Sequence, residues 1–264
     1  MTKKIGVAFG GSGAEGIANI AYVRALEEMG VTPAIVSGTG IGGVIAAMYA
    51  AGMTGDEMVA FMEEIDFPGA KRPINAAKVK DFKYGILDGM GLEEYFQMIV
   101  PVKVFDRLYF GLKIAAANYA SGQPVIFDSG NVGTAVRAGV SVPGIFSPHE
   151  KDEVLYLDGS CVNPVPFDII RGDCDVLVCI DPQITHDDES ADDLSPFVFP
   201  ALNGAFEAAK KALVAQKRES CEVELFETVA VKGVTTYDFA QHEFILQTAG
   251  EMTEKFKTRL KKCL

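Results

Sequence analysis

Short apolar runs and amphipathic stretches alternate along the first two thirds of the chain. Ile5–Phe9 is apolar without charged interruption and reads as a buried strand. The glycine-rich stretch 10–16 follows as a tight loop. In residues 17–29, Ile20, Val23, Leu26 and Met29 recur at every third position, which predicts a helix that Gly30 ends. The same order is then used again: a short strand over 33–37, a glycine-rich turn over 38–43, and a very apolar helix starting in 44–51. Thr54 and Glu57 have capping-box spacing ahead of Met58, Phe61, Met62 and Ile65, so a third helix is expected, stopping near Pro68. Residues 70–80 read as a connecting excursion.

Beyond this point the periods are shorter. Residues 92–100 predict a helix, while 112–119 and Pro124–Phe127 flank a turn at 120–122 and read as a strand pair. A short helix is expected over 131–139, ended by Gly139. Strands over 154–157 and 176–180 run into Asp158-Gly159-Ser160 and Asp181-Pro182. Short apolar strands between helices imply a mostly parallel central sheet in an α/β, three-layer α/β/α architecture. The acidic run 187–193 reads as a solvated loop before a helical C-terminal portion over 195–264, with helices at 201–217 and about 239–262. The stripe Phe197, Phe199, Leu202, Phe206 and Leu213 reads as a core-facing helix side, with a membrane contact or a lid over a lipid pocket as the alternative.

Composition narrows the function classes. A chain of 264 residues, 48% of them hydrophobic, can bury a core as one domain over 1–264. A net charge of −12 opposes binding to a polyanion, so nucleic acid is excluded as a partner. Lys3 and Lys4 lead directly into the first strand without a long apolar segment, which is not the pattern of a secretory signal, and no run is long enough to span a bilayer. The five cysteines, 161, 174, 179, 221 and 263, are odd in number and scattered, with neither disulfide nor metal spacing. A cytoplasmic location and no metal are expected.

Two glycine-rich turns carry the candidate chemistry. Residues 11–16 follow a strand and open a helix, so backbone N–H groups and the helix dipole converge there on an anion. A dinucleotide site has the same context but needs an acidic residue at the end of the second strand, where Ser37 stands. The second turn, Gly38-Thr39-Gly40-Ile41-Gly42, has the flanks of a G-x-S-x-G nucleophile elbow, with Gly40 at the serine position.

Three segments in this order resemble the patatin-like phospholipase family, whose pattern is a G-G-G-x-R-G loop, a G-x-S-x-G elbow and a later D-G-[GA]. They are Gly10-Gly11-Ser12-Gly13-Ala14-Glu15-Gly16, Gly38-Thr39-Gly40-Ile41-Gly42 and Asp158-Gly159-Ser160. The stretches 122–127, 142–146 and 162–166 also resemble bacterial members, and the likeness covers about residues 4–182. It implies a lipid acyl-ester ligand, no cofactor, and hydrolysis by a serine whose only catalytic partner is the aspartate; peripheral membrane contact stays the alternative raised by the apolar stripe. Asp158 would then be the base, and backbone N–H groups of Gly11, Ser12, Gly13 and Ala14 would stabilise the oxyanion. Gly16, Gly38, Gly42 and Gly159 would be the motif glycines. No histidine is required, and His149, His186 and His242 have no neighbourhood that marks a base.

This chain departs from the pattern at Gly40 for the serine, Glu15 for the arginine and Asn19 for the histidine that often follows in the helix. Loss of a serine nucleophile costs on the order of a millionfold in kcat in a serine protease, so little or no turnover is expected. A natural pseudoenzyme that binds a lipid, an acyl chain or a protein partner is the alternative, with nucleotide binding at 11–16 behind it. The nearby hydroxyls Ser12, Ser37, Thr39 and Ser160 read as turn or capping groups, and Cys161 as core filling. Asp158 could also brace its own turn through Asx-type hydrogen bonds.

Overall fold

The computed structural model describes residues 3–11, 13–64, 85–87, 89–185, 200–236 and 238–264. In chain order the elements are β1 (Ile5–Phe9), α1 (Asn19–Glu28), β2 (Ile35–Gly38), α2 (Gly40–Ala50), α3 (Gly55–Glu64), β3 (Gly85–Leu87), α4 (Met90–Ile99), β4 (Gly111–Asn118) and β5 (Pro124–Phe127). They continue with α5 (Val132–Gly139), β6 (Gly144–Phe146), β7 (His149–Lys151), β8 (Val154–Asp158), β9 (Val176–Thr185), α6 (Pro200–Ser220), β10 (Leu225–Lys232) and α7 (His242–Cys263).

The main sheet has the order β10-β9-β1-β2-β4-β8-β7, with β5 paired to β4; β3 and β6 form a separate parallel pair. From β10 to β4 every pairing is parallel, and the β4–β8, β8–β7 and β4–β5 pairings are antiparallel. Side-chain alternation divides the core between two faces. Val7, Phe9, Val36, Val178 and Ile180 pack with α1, α2, α5 and α7, whereas Ala8, Ile35, Leu177 and Cys179 pack with Phe167, Ile170 and Val214 of α6. Both faces of the central strands are therefore covered, which is why Ile5–Phe9 carries no polar position.

Most predicted elements stand where the pattern put them, with local differences. A 3-10 turn, Ala14–Ala18, precedes α1, as is frequent at the N-termini of α-helices. Helix α2 starts at Gly40, at the tip of the turn, rather than near Val44. The C-terminal portion holds the two expected helices and also a strand, β10, which pairs in parallel with β9. Its buried positions are Leu225, Glu227, Val229 and Val231, so a carboxylate interrupts the apolar alternation that would have marked it. Arg259 of α7 bridges that carboxylate at 2.5 Å. The expected end of the third helix near Pro68, the excursion over 70–80, the acidic run 187–193, His186, Phe197 and Phe199 lie outside the described residues.

Candidate active site

The two glycine turns meet at the C-terminal ends of β1 and β2. Strand β2 ends at Gly38 and α2 begins at Gly40, leaving Thr39 alone to make the reversal. Gly40 has φ of 54°, the left-handed region that side chains rarely adopt and that a nucleophile elbow imposes at its tip. Gly42 packs so tightly on the end of β1 that a Cβ there would collide with the carbonyl oxygens of Phe9 and Gly10. Its N–H donates to Gly11 O at 3.0 Å, tying the elbow to the first loop.

Asn19 holds that first loop closed. Its Nδ2 donates to Gly10 O and to Gly16 O, each at 2.8 Å, so one side chain clamps both ends. Among the amides expected to face an oxyanion, two already donate within the protein: Gly13 N–H to Glu15 Oε1 at 3.1 Å, and Ala14 N–H to Thr236 O at 2.8 Å. Gly11 has φ of 95° and borders a small pocket, while Ser12 lies outside the described residues. Glu15 thus brings its own carboxylate to an amide that the resemblance assigns to a ligand.

Asp158 ends β8, opposite Ala116 of β4, and is fully buried. Its Oδ1 accepts Ser160 N–H at 2.7 Å, the Asx-type brace given above as the alternative to a base, and lies 3.5 Å from Thr39 Oγ1 of the elbow. Its Oδ2 has no hydrogen-bond partner among the described residues. Burial pushes the Asp158 carboxyl up to about 6; the hydrogen bond from the Ser160 N–H and the charge of Lys210 oppose the rise, and Glu15 adds to it. One oxygen is therefore structural and the other is unengaged, on a group that ionises near neutrality. The sequence brings Asp158 and Thr39 together across 119 positions, and the fold places them in contact.

Other candidates have structural partners. Ser37 Oγ donates to Pro166 O at 2.7 Å, so the hydroxyl at the end of β2 ties that strand to the segment after the Asp158 turn. The Cys161 thiol is pushed up to about 12 by burial and by the neighbouring Asp158 charge, which keeps it protonated. His149 lies on β7, and its pKa is lowered by burial and by Arg137. His242 Nδ1 lies 3.3 Å from Phe239 O at the start of α7.

Three groups absent from the motif reading also converge here. Lys210 and Glu207 of α6 and Asp181 of β9 border the pocket beside Gly11 and Ser160. Burial likewise raises Asp181 to about 6. No spacing in a helix rich in alanine and lysine marks one lysine as buried. The available hint is Glu15, a carboxylate in an anion-binding loop that demands a cation from elsewhere.

The patatin-like phospholipase family model matches residues 7–171, spanning the loop, the elbow and the Asp158 turn. The chain belongs to this family. It is 29% identical over 173 residues to an uncharacterized NTE family protein of Mycobacterium tuberculosis, covering 64% of this chain and 46% of that protein. It is 26% identical over 195 residues to a lysophospholipase of Aspergillus fumigatus, covering 68% of this chain and 12% of that protein. The patatin-like chain thus spans less than half the length of these curated relatives. Among solved structures, VipD of Legionella pneumophila superposes with a TM-score of 0.53 at 13% identity, covering 97% of this chain and 66% of VipD. Full-length ExoU of Pseudomonas aeruginosa, solved in complex with SpcU, gives 0.50 at 15%, covering 99% of this chain and 52% of ExoU. These likenesses establish the fold, a patatin-like α/β domain. Among the described residues no helix is long and apolar enough to cross a membrane.

Proposed function

We propose that this chain carries the site of a lipid acyl-ester hydrolase of the serine–aspartate type, disabled by glycine at residue 40. The observation that carries the reading is the pairing of a left-handed Gly40 at the elbow tip with a buried Asp158 whose Oδ2 is unengaged among the described residues. A hydroxyl at residue 40 would have a base beside its elbow. Without it, Asp158 has no nucleophile to deprotonate, and acyl transfer to the protein does not start. The lysophospholipase name of the Aspergillus fumigatus relative supports a lipid ester as the substrate class.

A second reading is favoured by Glu15. Because its carboxylate accepts the Gly13 N–H, the loop is partly filled from within, as expected of a pseudoenzyme retained for binding a lipid, an acyl chain or a protein. The two readings separate on one substitution. Gly40→Ser, assayed with short-chain p-nitrophenyl esters and a phospholipid, is expected to hydrolyse ester where the parent does not, and to lose the activity when combined with Asp158→Asn. A folded Gly40→Ser variant that stays inert favours the binding role.

A further inference from the structure

Lys210 lies on α6, outside every motif, yet it is only 8% exposed and its ammonium reaches the glycine loop. Its Nζ stands 3.9 Å from Glu15 Oε1 and 2.5 Å from Glu207 Oε1, and 5.5 Å from the centre of the Phe206 ring. The same Glu15 oxygen accepts the Gly13 N–H at 3.1 Å. A cation, a carboxylate and a loop amide therefore form a continuous chain from α6 to the loop that precedes α1. Taking an ammonium out of water costs several kcal/mol unless it is well paired. Here the close partner is Glu207, one turn away on α6, and the longer contact is to Glu15 near the other end of the sequence.

The family pattern has an arginine in the loop at the position of Glu15. Helix α6 returns a positive charge to that neighbourhood, and Glu15 receives it. We propose that Lys210 is a positioning residue of this site, supplying from α6 the cation that the loop itself lacks and holding the Gly13 end of the loop through Glu15.

Thr39 of the elbow and Ser160 of its own turn lie against Asp158, Cys161 neighbours it, and Glu15 of the loop and Lys210 of α6 act on its charge. Lys210 favours the ionised carboxylate and Glu15 opposes it. Around Lys210 stand Glu15, Glu207, Asp158 and, across the pocket, Asp181, with the exposed Lys211 beside it. Burial alone would lower the Lys210 pKa, but Glu15 and Glu207 outweigh it, so the amine stays protonated. Lys210 thus favours the charged form of Asp158 and, through Glu15, borders the Gly13 end of the loop.

The inference rests on Asp158 being the working carboxylate of the site, and its test does not require turnover. Carbon-13 carboxyl NMR of the full chain, with Gly40 in place, reads the titration of Asp158 directly. Lys210→Met is expected to raise its midpoint by about half a pH unit or more, and Lys210→Arg to keep it near the parent value. A folded Lys210→Met protein with an unmoved Asp158 midpoint overturns the proposal. Should that variant fail to fold, Lys210→Gln, which keeps a polar arm, is read by the same two outcomes. A shifted midpoint supports the placement of Lys210 even where the Gly40→Ser variant is inert, so the two proposals fail separately.

Discussion

Gly40 sits at φ of 54° with no side chain to be strained by it. For an L-residue the left-handed region costs roughly 1–2 kcal/mol. Gly40→Ser is therefore expected to lower the melting temperature by roughly 2–6 °C while leaving the fold intact; an unchanged or higher value in differential scanning calorimetry would contradict this account of the glycine. Asp158 yields a prediction of the opposite sign. Its folded pKa, about 6, lies above the ordinary value of 3.8, so the native state binds the extra proton between these limits. Stability contributed by the neutral form is present at low pH and declines as pH rises through this window. Asp158→Asn keeps an acceptor for Ser160 N–H and removes the buried charge. It should stabilise the protein by about 1–3 kcal/mol at pH 7 and by little near pH 4, as read by urea unfolding at the two values. Equal effects at both would show that Asp158 is not ionised with difficulty in the folded state.

Among the elements, legibility followed the simplicity of the environment. Strand β1 is covered on both faces, so its uninterrupted apolar run was readable, and α1 announced itself by the spacing of Ile20, Val23 and Leu26. Strand β10 was not legible because Glu227 occupies one of its inward positions, and the residue that compensates, Arg259, is 32 positions away. That ion pair gives an element-scale prediction. Arg259→Ala leaves a buried carboxylate without its cation and should destabilise by roughly 1–3 kcal/mol. Replacing both Glu227 and Arg259 with leucine should cost less than the single change, because no unpaired charge remains. Chemical denaturation of the two variants checks the order. A single variant as stable as the parent would mean that β10 does not depend on this contact.

At the scale of the whole molecule, the site lies where the sheet changes direction. From β1 the chain moves outward through β2, whereas β9 lies on the other side, so the C-terminal ends of β1 and β9 open a crevice at a topological switch point. Gly11, Ser160, Asp181 and Lys210 meet there, drawn from the loop, the Asp158 turn, β9 and α6. The loop, the elbow and Asp158 could be located from sequence because each belongs to a motif of fixed local spacing. Lys210 and Asp181 could not, because their place beside those motifs comes only from the packing of α6 and β9. The same holds for Glu15: its identity was plain, but its capture of the Gly13 amide depends on the folded loop.

The central claim is that the elbow is intact apart from one missing oxygen. Intact-mass spectrometry after treatment with a fluorophosphonate, followed by peptide mapping, tests it most directly. The Gly40→Ser variant should take up one phosphonyl group at residue 40, the parent chain none, and Asp158→Asn in the variant should slow labelling at least tenfold. Labelling of the parent chain at another serine, or a folded variant that takes up no label, would contradict it.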